Sequence, residues 1–320
     1  MIETRVNRLL GIRYPILQGG MFWLATAELA AAVSNAGGLG VIAPYAGLEK
    51  GGDPAENLRL QMEKIKGLTD RPWGVNLLLD VDLDGILADC LLREGVRIVV
   101  TAAGNPRRYT ELFKSQNIRV LHVVSSVRQA RLAEECGVDA VIAEGVEAAA
   151  HVGFDEIPLL SLLPQVADAV AIPVIAAGGI ADARGMAAAI ALGAEGVQLG
   201  TRFVAVEENI AHIRYKQAIV GAGDADTVVT CRRLVPTRSL KTDLLRRVLE
   251  LEAAGATAEE LRAFLGRGRD RDRRGQIDGD LVNGAASCGA SAGLIREILP
   301  AAEVIRNLVD GYGEIVKKMA

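Results

Sequence analysis

Eight short apolar runs recur between residues 15 and 201, and the stretches between them carry helical spacing. The runs are "PILQ" (15–18), "GLGVIA" (38–43), "WGVNLLL" (73–79), "VRIVVTA" (96–102), "IRVLHVV" (118–124), "DAVIAEG" (139–145), "IPVIAAGG" (172–179) and "EGVQLGT" (195–201). They are rich in Val and Ile and bounded by turn residues, as strands are. Continuous apolar runs suit strands buried on both faces of a parallel sheet. The intervening "TAELAAAVSNAGG" reads as a helix with Thr26 as N-cap and Gly37 as its stop. "SSVRQARLAEECG" reads as another, capped by Ser125 or Ser126 and stopped at Gly137. Eight strand–helix units predict an α/β fold, a TIM (β/α)8 barrel, with a doubly wound open sheet as the rival. The last two runs end in Gly178-Gly179 and Gly200-Thr201. A phosphate site after strands seven and eight is a recurrent barrel feature, which favours the closed barrel and a phosphorylated cofactor. The alternative for these glycines is tight βα turns without a ligand.

After Phe203 the pattern turns helical. Residues 1–203 are expected to form the barrel core, and 204–320 the last barrel helix plus a helical appendage packed on it. Within the appendage, 266–275 holds five arginines in ten residues. It reads as a solvated loop, or as a basic edge facing an acidic partner or a cofactor phosphate.

Net charge is −4 and aromatics are 4 % of the chain. That gives no electrostatic case for nucleic acid and no stacking platform for bases. Cys90, Cys136, Cys231 and Cys288 lie far apart without C-x-x-C spacing, so neither a disulfide framework nor a zinc site is expected. With no signal-peptide pattern and no run long enough to span a membrane, the expected location is cytoplasmic, with no membrane partner.

Several polar residues stand in the apolar runs. Asn76 and Gln198 are amides in buried strands and need partners, from a ligand or from within the barrel. His122 interrupts strand five, facing either the mouth or the core. Glu144 ends strand six, as a ligand contact or as a brace for the loop that follows. His151 lies in that loop, on the catalytic face, among small neighbours; imidazole can give or take a proton near neutral pH. His212 reads as structural, Cys90 and Cys136 as packing, and Asp53 and Glu56 as solvated charges.

"PILQGGM", "SNAGGLGVI", "LTDRPWGVNLLL", "AEGVEAAAHVG", "IPVIAAGGIAD" and "LGAEGVQLGTRF" follow one another in this order. Together they resemble the 2-nitropropane dioxygenase superfamily, which includes nitronate monooxygenases and the flavin-dependent enoyl-acyl-carrier-protein reductase II (FabK type). "TAAGNPRRY" and the C-terminal "LRAFLGRGR" and "GLIREILPAAEVI" resemble the reductase branch. The resemblance implies FMN, NADH or NADPH as electron donor, and reduction of an enoyl thioester, as in fatty acid biosynthesis. His151 would be proton donor or orienter beside flavin N5. Nitronate oxidation with O2 and NAD(P)H:quinone reduction are the alternatives. It implies cofactor contacts from Gly20, Met21, Asn76, Thr101, His122, Glu144, Ala149, Gly178, Gly179, Gln198, Gly200 and Thr201, and no metal. The substrate would be a small molecule or carrier-bound acyl chain. Acyl carrier protein is a candidate partner through Arg269, Arg271 and Arg273, and a homodimer a candidate assembly. Three departures fall on the substrate side: Ala149-Ala150 where the family usually has Gly-Gly, a long loop after strand two, and "FDEIPLLSLLPQV" after the histidine.

Overall fold

The computed structural model describes residues 3–266 and 268–319. Eight strands fall on the eight apolar runs: β1 (Ile16–Gln18), β2 (Gly40–Ile42), β3 (Trp73–Leu78), β4 (Ile98–Ala102), β5 (Arg119–Val124), β6 (Ala140–Glu144), β8 (Val174–Ala177) and β9 (Gly196–Leu199). They pair in parallel in the order β1-β9-β8-β6-β5-β4-β3-β2. A Leu17–Leu39 bridge joins the two ends, with the Gln18 amide donating to the Leu39 carbonyl at 2.9 Å. The sheet is therefore a TIM barrel, closed at its seam by one short bridge.

Side chains alternate along each strand. Leu17, Val41, Ile98, Val100, Leu121, Ala140, Ile142 and Ile175 fill the barrel. Ile16, Ile42, Val75, Leu77, Val99, Val120, Val141 and Val197 face the helices. The helix Arg5–Leu10 stoppers the end opposite the strand C-termini, adding Val6 and Leu10 to the inner cluster. Ser126 caps the helix Val127–Glu135, whereas Thr26 stands at its N-cap position without a capping bond.

Between strand eight of the barrel (β9) and its covering helix, the chain makes a long excursion. The helix that packs against both Ala183–Ala191 and Ala27–Asn35 is Ala301–Met319, the last in the chain. Residues 205–300 are thus inserted ahead of it. They are not purely helical: β10 (Thr227–Thr230) and β11 (Thr237–Leu240) form an antiparallel hairpin that takes β7 (Ala150–His151) as a third strand. The segment read as a solvated loop at 266–275 is largely the helix Gly268–Gln276, while Arg267 lies outside the described residues. Leu240, Ala286 and Cys288 of the insertion share a cluster with Trp23 and Leu24 from the loop after β1.

Candidate active site

Strand polarity brings the C-terminal ends of β1, β3, β6, β8 and β9 to one mouth, where barrel enzymes carry their sites. Register decides which side chains reach its interior. Asn76 pairs with Val100, Glu144 with Ala177, and Ala177 with Gln198, so Asn76, Glu144 and Gln198 share the parity of the inner cluster. Thr101 pairs with His122 and His122 with Val141, which places both on the helix-facing side. The Thr101 hydroxyl lies 2.7 Å from His122 Nδ1 and 3.2 Å from the Leu121 carbonyl. Burial alone pulls the His122 pKa down to about 4, keeping the ring neutral. Of the two sequence alternatives for His122, its geometry fits the satisfied core histidine. Thr101 and His122 stand apart from the inner ring.

The inner ring is short of partners. Gln198 is 8 % exposed and its Oε1 is buried without a hydrogen bond among the described residues. An unpaired buried carbonyl costs free energy, so this amide is poised for a ligand donor. The Asn76 side chain lies against Gly20, where a Cβ would come within 2.3 Å of it, so Asn76 and the loop after β1 meet at the mouth. Met21 turns the chain there, accepting the Leu24 and Ala25 amides at 3.0 and 2.9 Å. Glu144 keeps some open surface at the mouth, yet protein surrounds it closely enough to strip its hydration. That desolvation pushes its carboxyl up to about 8.

Gly178 and Gly179 both adopt left-handed backbone, with φ of 94° and 71°. Only glycine does this without strain. A Cβ on Gly178 would also come within 3.0 Å of the Gly145 carbonyl. Gly200 opposes them across the β8–β9 edge, and a Cβ there would meet nothing within 4 Å. Among the described residues, the amides of Gly178, Gly179, Gly200 and Thr201 have no protein acceptor. Unsatisfied amides at two neighbouring strand ends suit an anion. The Thr201 hydroxyl is already engaged, accepting the Gly289 amide at 2.9 Å.

His151 sits in the loop leaving β6, in β7 opposite Thr237 of β11. Its side chain makes no hydrogen bond to described residues, so no carboxylate orients the ring. Although the residue is exposed, protein surrounds the imidazole, and partial desolvation lowers its pKa. Asp80 opposes that shift and Arg269 adds to it. Ala150 precedes it with φ 59°, a glycine-like conformation on an alanine. Ala149 borders Gly289, whose Cβ position would lie 3.5 Å from its amide.

Sequence reasoning missed the far wall. Phe22 and Tyr45, after β1 and β2, stack with centroids 4.2 Å apart. The Arg269 guanidinium lies 5.0 Å over Phe22 and 5.6 Å over Tyr45. Phe22, Tyr45, Asn76 and Leu78 line a small cavity beside it. Arg271 is half-buried and Arg273 pairs with Asp278 at 3.2 Å. Of the three arginines, Arg269 is exposed and Arg271 and Arg273 are half-buried. The hairpin had a signal, in the β-branched "DTVVT" before a turn containing Pro236; the Arg269 stack had none.

These features define a class: a (β/α)8 barrel whose strand C-termini bring glycine-rich turns and a histidine-bearing loop to one end. A family model described as nitronate monooxygenase matches residues 3–85 and 85–311. The chain is 34% identical to a nitronate monooxygenase of Pseudomonas aeruginosa, covering 97% of this chain and 99% of the relative. It is 36% identical to a Mycobacterium tuberculosis protein named (3aS,4S,5R,7aS)-5-hydroxy-7a-methyl-1-oxo-octahydro-1H-indene-4-carboxyl-CoA dehydrogenase, covering 82% of this chain and 72% of that one. Among solved structures it is similar to FabK from Thermotoga maritima, at 43% identity and a TM-score of 0.92, covering 100% of this chain and 99% of the other. The chain belongs to the nitronate monooxygenase family. It is an oxidoreductase of the nitronate monooxygenase and FabK kind, whose members are flavin enzymes. Among the described residues no helix is long and apolar enough to cross a membrane.

Proposed function

We propose that the protein is an FMN-dependent reductase that takes electrons from NADH or NADPH and reduces an activated alkene, most simply an enoyl thioester. The observation that carries this reading is the likeness to FabK over the whole chain, insertion included. The relative named as a carboxyl-CoA dehydrogenase supports a thioester-bearing substrate.

The residues fit the cofactor. The free amides of Gly178, Gly179, Gly200 and Thr201 would hold its phosphate. The unpaired Gln198 Oε1 and the Asn76 amide would meet the polar edge of its ring. Gly20 and Met21 would border the ring. Bound there, FMN supplies hydride chemistry, which no side chain can. His151 would then hold or deliver a proton at the substrate carbon next to the thioester carbonyl, from an exposed position in its loop. Glu144, neutral at pH 7 with its carboxyl near 8, can donate a hydrogen bond without placing a second negative charge beside the phosphate.

The second reading is nitronate oxidation with O2, supported by the family model and by the Pseudomonas relative at near-complete coverage of both chains. One experiment separates them. Flavin-loaded protein is mixed anaerobically with NADH, NADPH or propyl nitronate, and the flavin's visible absorption is followed. Rapid bleaching by a nicotinamide, reversed by crotonyl-CoA, supports the reductase. Bleaching by the nitronate alone replaces it with the monooxygenase.

A further inference from the structure

His151 has no side-chain partner, so its position depends on the backbone that carries it. That backbone belongs to a long loop, 145–158, and long loops are ordered only where something holds them. Its two ends are tied locally: the Gly145 amide donates to the Ala177 carbonyl at 3.0 Å, and the Val146 amide to the Ile157 carbonyl at 2.9 Å. The Glu147 carboxylate accepts the Leu159 amide at the start of the next helix. The middle, where His151 lies, is held by the insertion. His151 and Ala150 pair with Thr237 and Arg238 of β11, and the Val152 amide donates to the Pro236 carbonyl at 2.9 Å. The Ala290 amide reaches the Glu147 carbonyl at 2.9 Å.

One side chain links these anchors. Arg238 stands opposite Ala150 in the ladder, and its Nε reaches back to donate to the Val146 carbonyl at 2.8 Å. Its Nη1 donates to Thr227 Oγ1 on β10 at 3.2 Å. It thus grips the histidine loop at two points while bracing the hairpin behind it. This half-buried guanidinium donates to two neutral acceptors and, among the described residues, makes no salt bridge, although the Glu147 and Glu156 charges act on it; that suits geometric fixation. We infer that Arg238 is a positioning residue for His151: the insertion, through this hairpin, sets where the imidazole stands over the barrel mouth. The catalytic part of this inference rests on the proposed role of His151; the structural part does not.

The test uses the flavin-loaded protein and the variants Arg238→Met, which keeps the stem and loses the donors, and Arg238→Lys, which keeps one donor. Amide hydrogen exchange over 146–152 should speed up about tenfold or more in Arg238→Met and less in Arg238→Lys, while the barrel strands exchange as before. Turnover is read with the pair that reduces and reoxidises the flavin, NADH with crotonyl-CoA or propyl nitronate with oxygen. It should fall about tenfold in Arg238→Met at unchanged KM for the reductant, since a small misplacement of a catalytic group is expensive. Partial recovery is expected in Arg238→Lys. In the double variant with His151→Ala, Arg238→Met should cost nothing further. If Arg238→Met does not fold, Thr227→Val, which removes one acceptor only, carries the same test in weaker form. Unchanged exchange over 146–152, or losses that simply add in the double variant, overturn the inference. Full activity of His151→Ala overturns the role of His151 instead, and leaves the exchange result to decide the clamp.

Discussion

Ala150 holds φ at 59°, where a Cβ is crowded and glycine is at ease. Ala150→Gly is therefore expected to stabilise the protein by about 0.5–1 kcal/mol, net of the entropy that glycine adds to the unfolded chain. Chemical denaturation checks it, and a lowered midpoint would mean the loop is not strained as described. His122 makes a pH prediction. Its folded pKa is about 4 against an ordinary 6.5, so between those values the unfolded chain binds more protons than the folded one. Stability from keeping the ring neutral is complete above about pH 6.5 and is lost as pH falls toward 4, with a total of about 3 kcal/mol. Urea midpoints should drop between pH 7 and pH 5 in the wild type and drop less in His122→Gln. Glu144 runs the other way. Its folded carboxyl titrates near 8 against 4.5, so the stability from holding it neutral is present below 4.5 and is lost as pH rises toward 8. Glu144→Gln should raise the apo-protein's Tm at pH 8 and change it little at pH 5; an equal shift at both would show that the carboxyl is not desolvated. At this scale the chemistry of each residue could be read from sequence but its direction could not. His122 and Asn76 are both polar residues in apolar strands, and only the register separates the outward ring from the inward amide.

Helices and strands here approach as closely as backbone allows. At Gly40 in β2 a Cβ would lie 1.9 Å from the Ala30 carbonyl oxygen, in the helix Ala27–Asn35. No rotamer relieves a clash with backbone, so Gly40→Ala must push the helix off the sheet. The expected result is a loss of about 3 kcal/mol or more, in the class of severe overpacking. A soluble Gly40→Ala protein with wild-type Tm would disprove that contact. The same logic explains what was legible among the elements. The eight barrel strands could be found because burial on both faces writes an apolar run into each. The hairpin β10–β11 is half-exposed, with Thr227 and Val228 on its open part, and its short runs resemble the edges of neighbouring helices. The helix Gly268–Gln276 carries almost no apolar residue, so no periodicity marks it. Its order comes from Gly275 packed against Ala285, where a Cβ would meet the Ala285 carbonyl oxygen at 2.2 Å, and from Arg269 lying over Phe22 and Tyr45.

The whole molecule is one barrel whose last repeat is interrupted. Ala301, Val304, Ile305 and Leu308 are buried on the helix Ala301–Met319, and Gly311 lets that helix cross close to Ala183, with a Cβ position 2.7 Å from the alanine methyl. This helix packs between the helices Ala27–Asn35 and Ala183–Ala191, and Ala27–Asn35 in turn lies on β1 and β2, which are joined by little more than one bridge. The insertion ahead of it supplies the hairpin under His151 and the helix bearing Arg269, so fold closure and site assembly depend on the same stretch of chain. The sequence pattern puts the last barrel helix somewhere in 204–320, together with the appendage. Nothing in residues 204–320 taken alone says which helix that is. A chain ending at Pro300 tests the assignment. It would bare the apolar faces that the helices Ala27–Asn35 and Ala183–Ala191 turn toward it. A domain's net stability is only about 5–15 kcal/mol. Loss of the buried Val304, Ile305 and Leu308 side chains, at about 1.5–3 kcal/mol each, with Ala301 besides, would consume most of it. The expected outcome is an insoluble or molten protein that retains no flavin. A truncated chain with native far-UV circular dichroism, a cooperative melt and bound flavin would show that the barrel closes without this helix. The eighth covering element would then have to be sought inside the insertion.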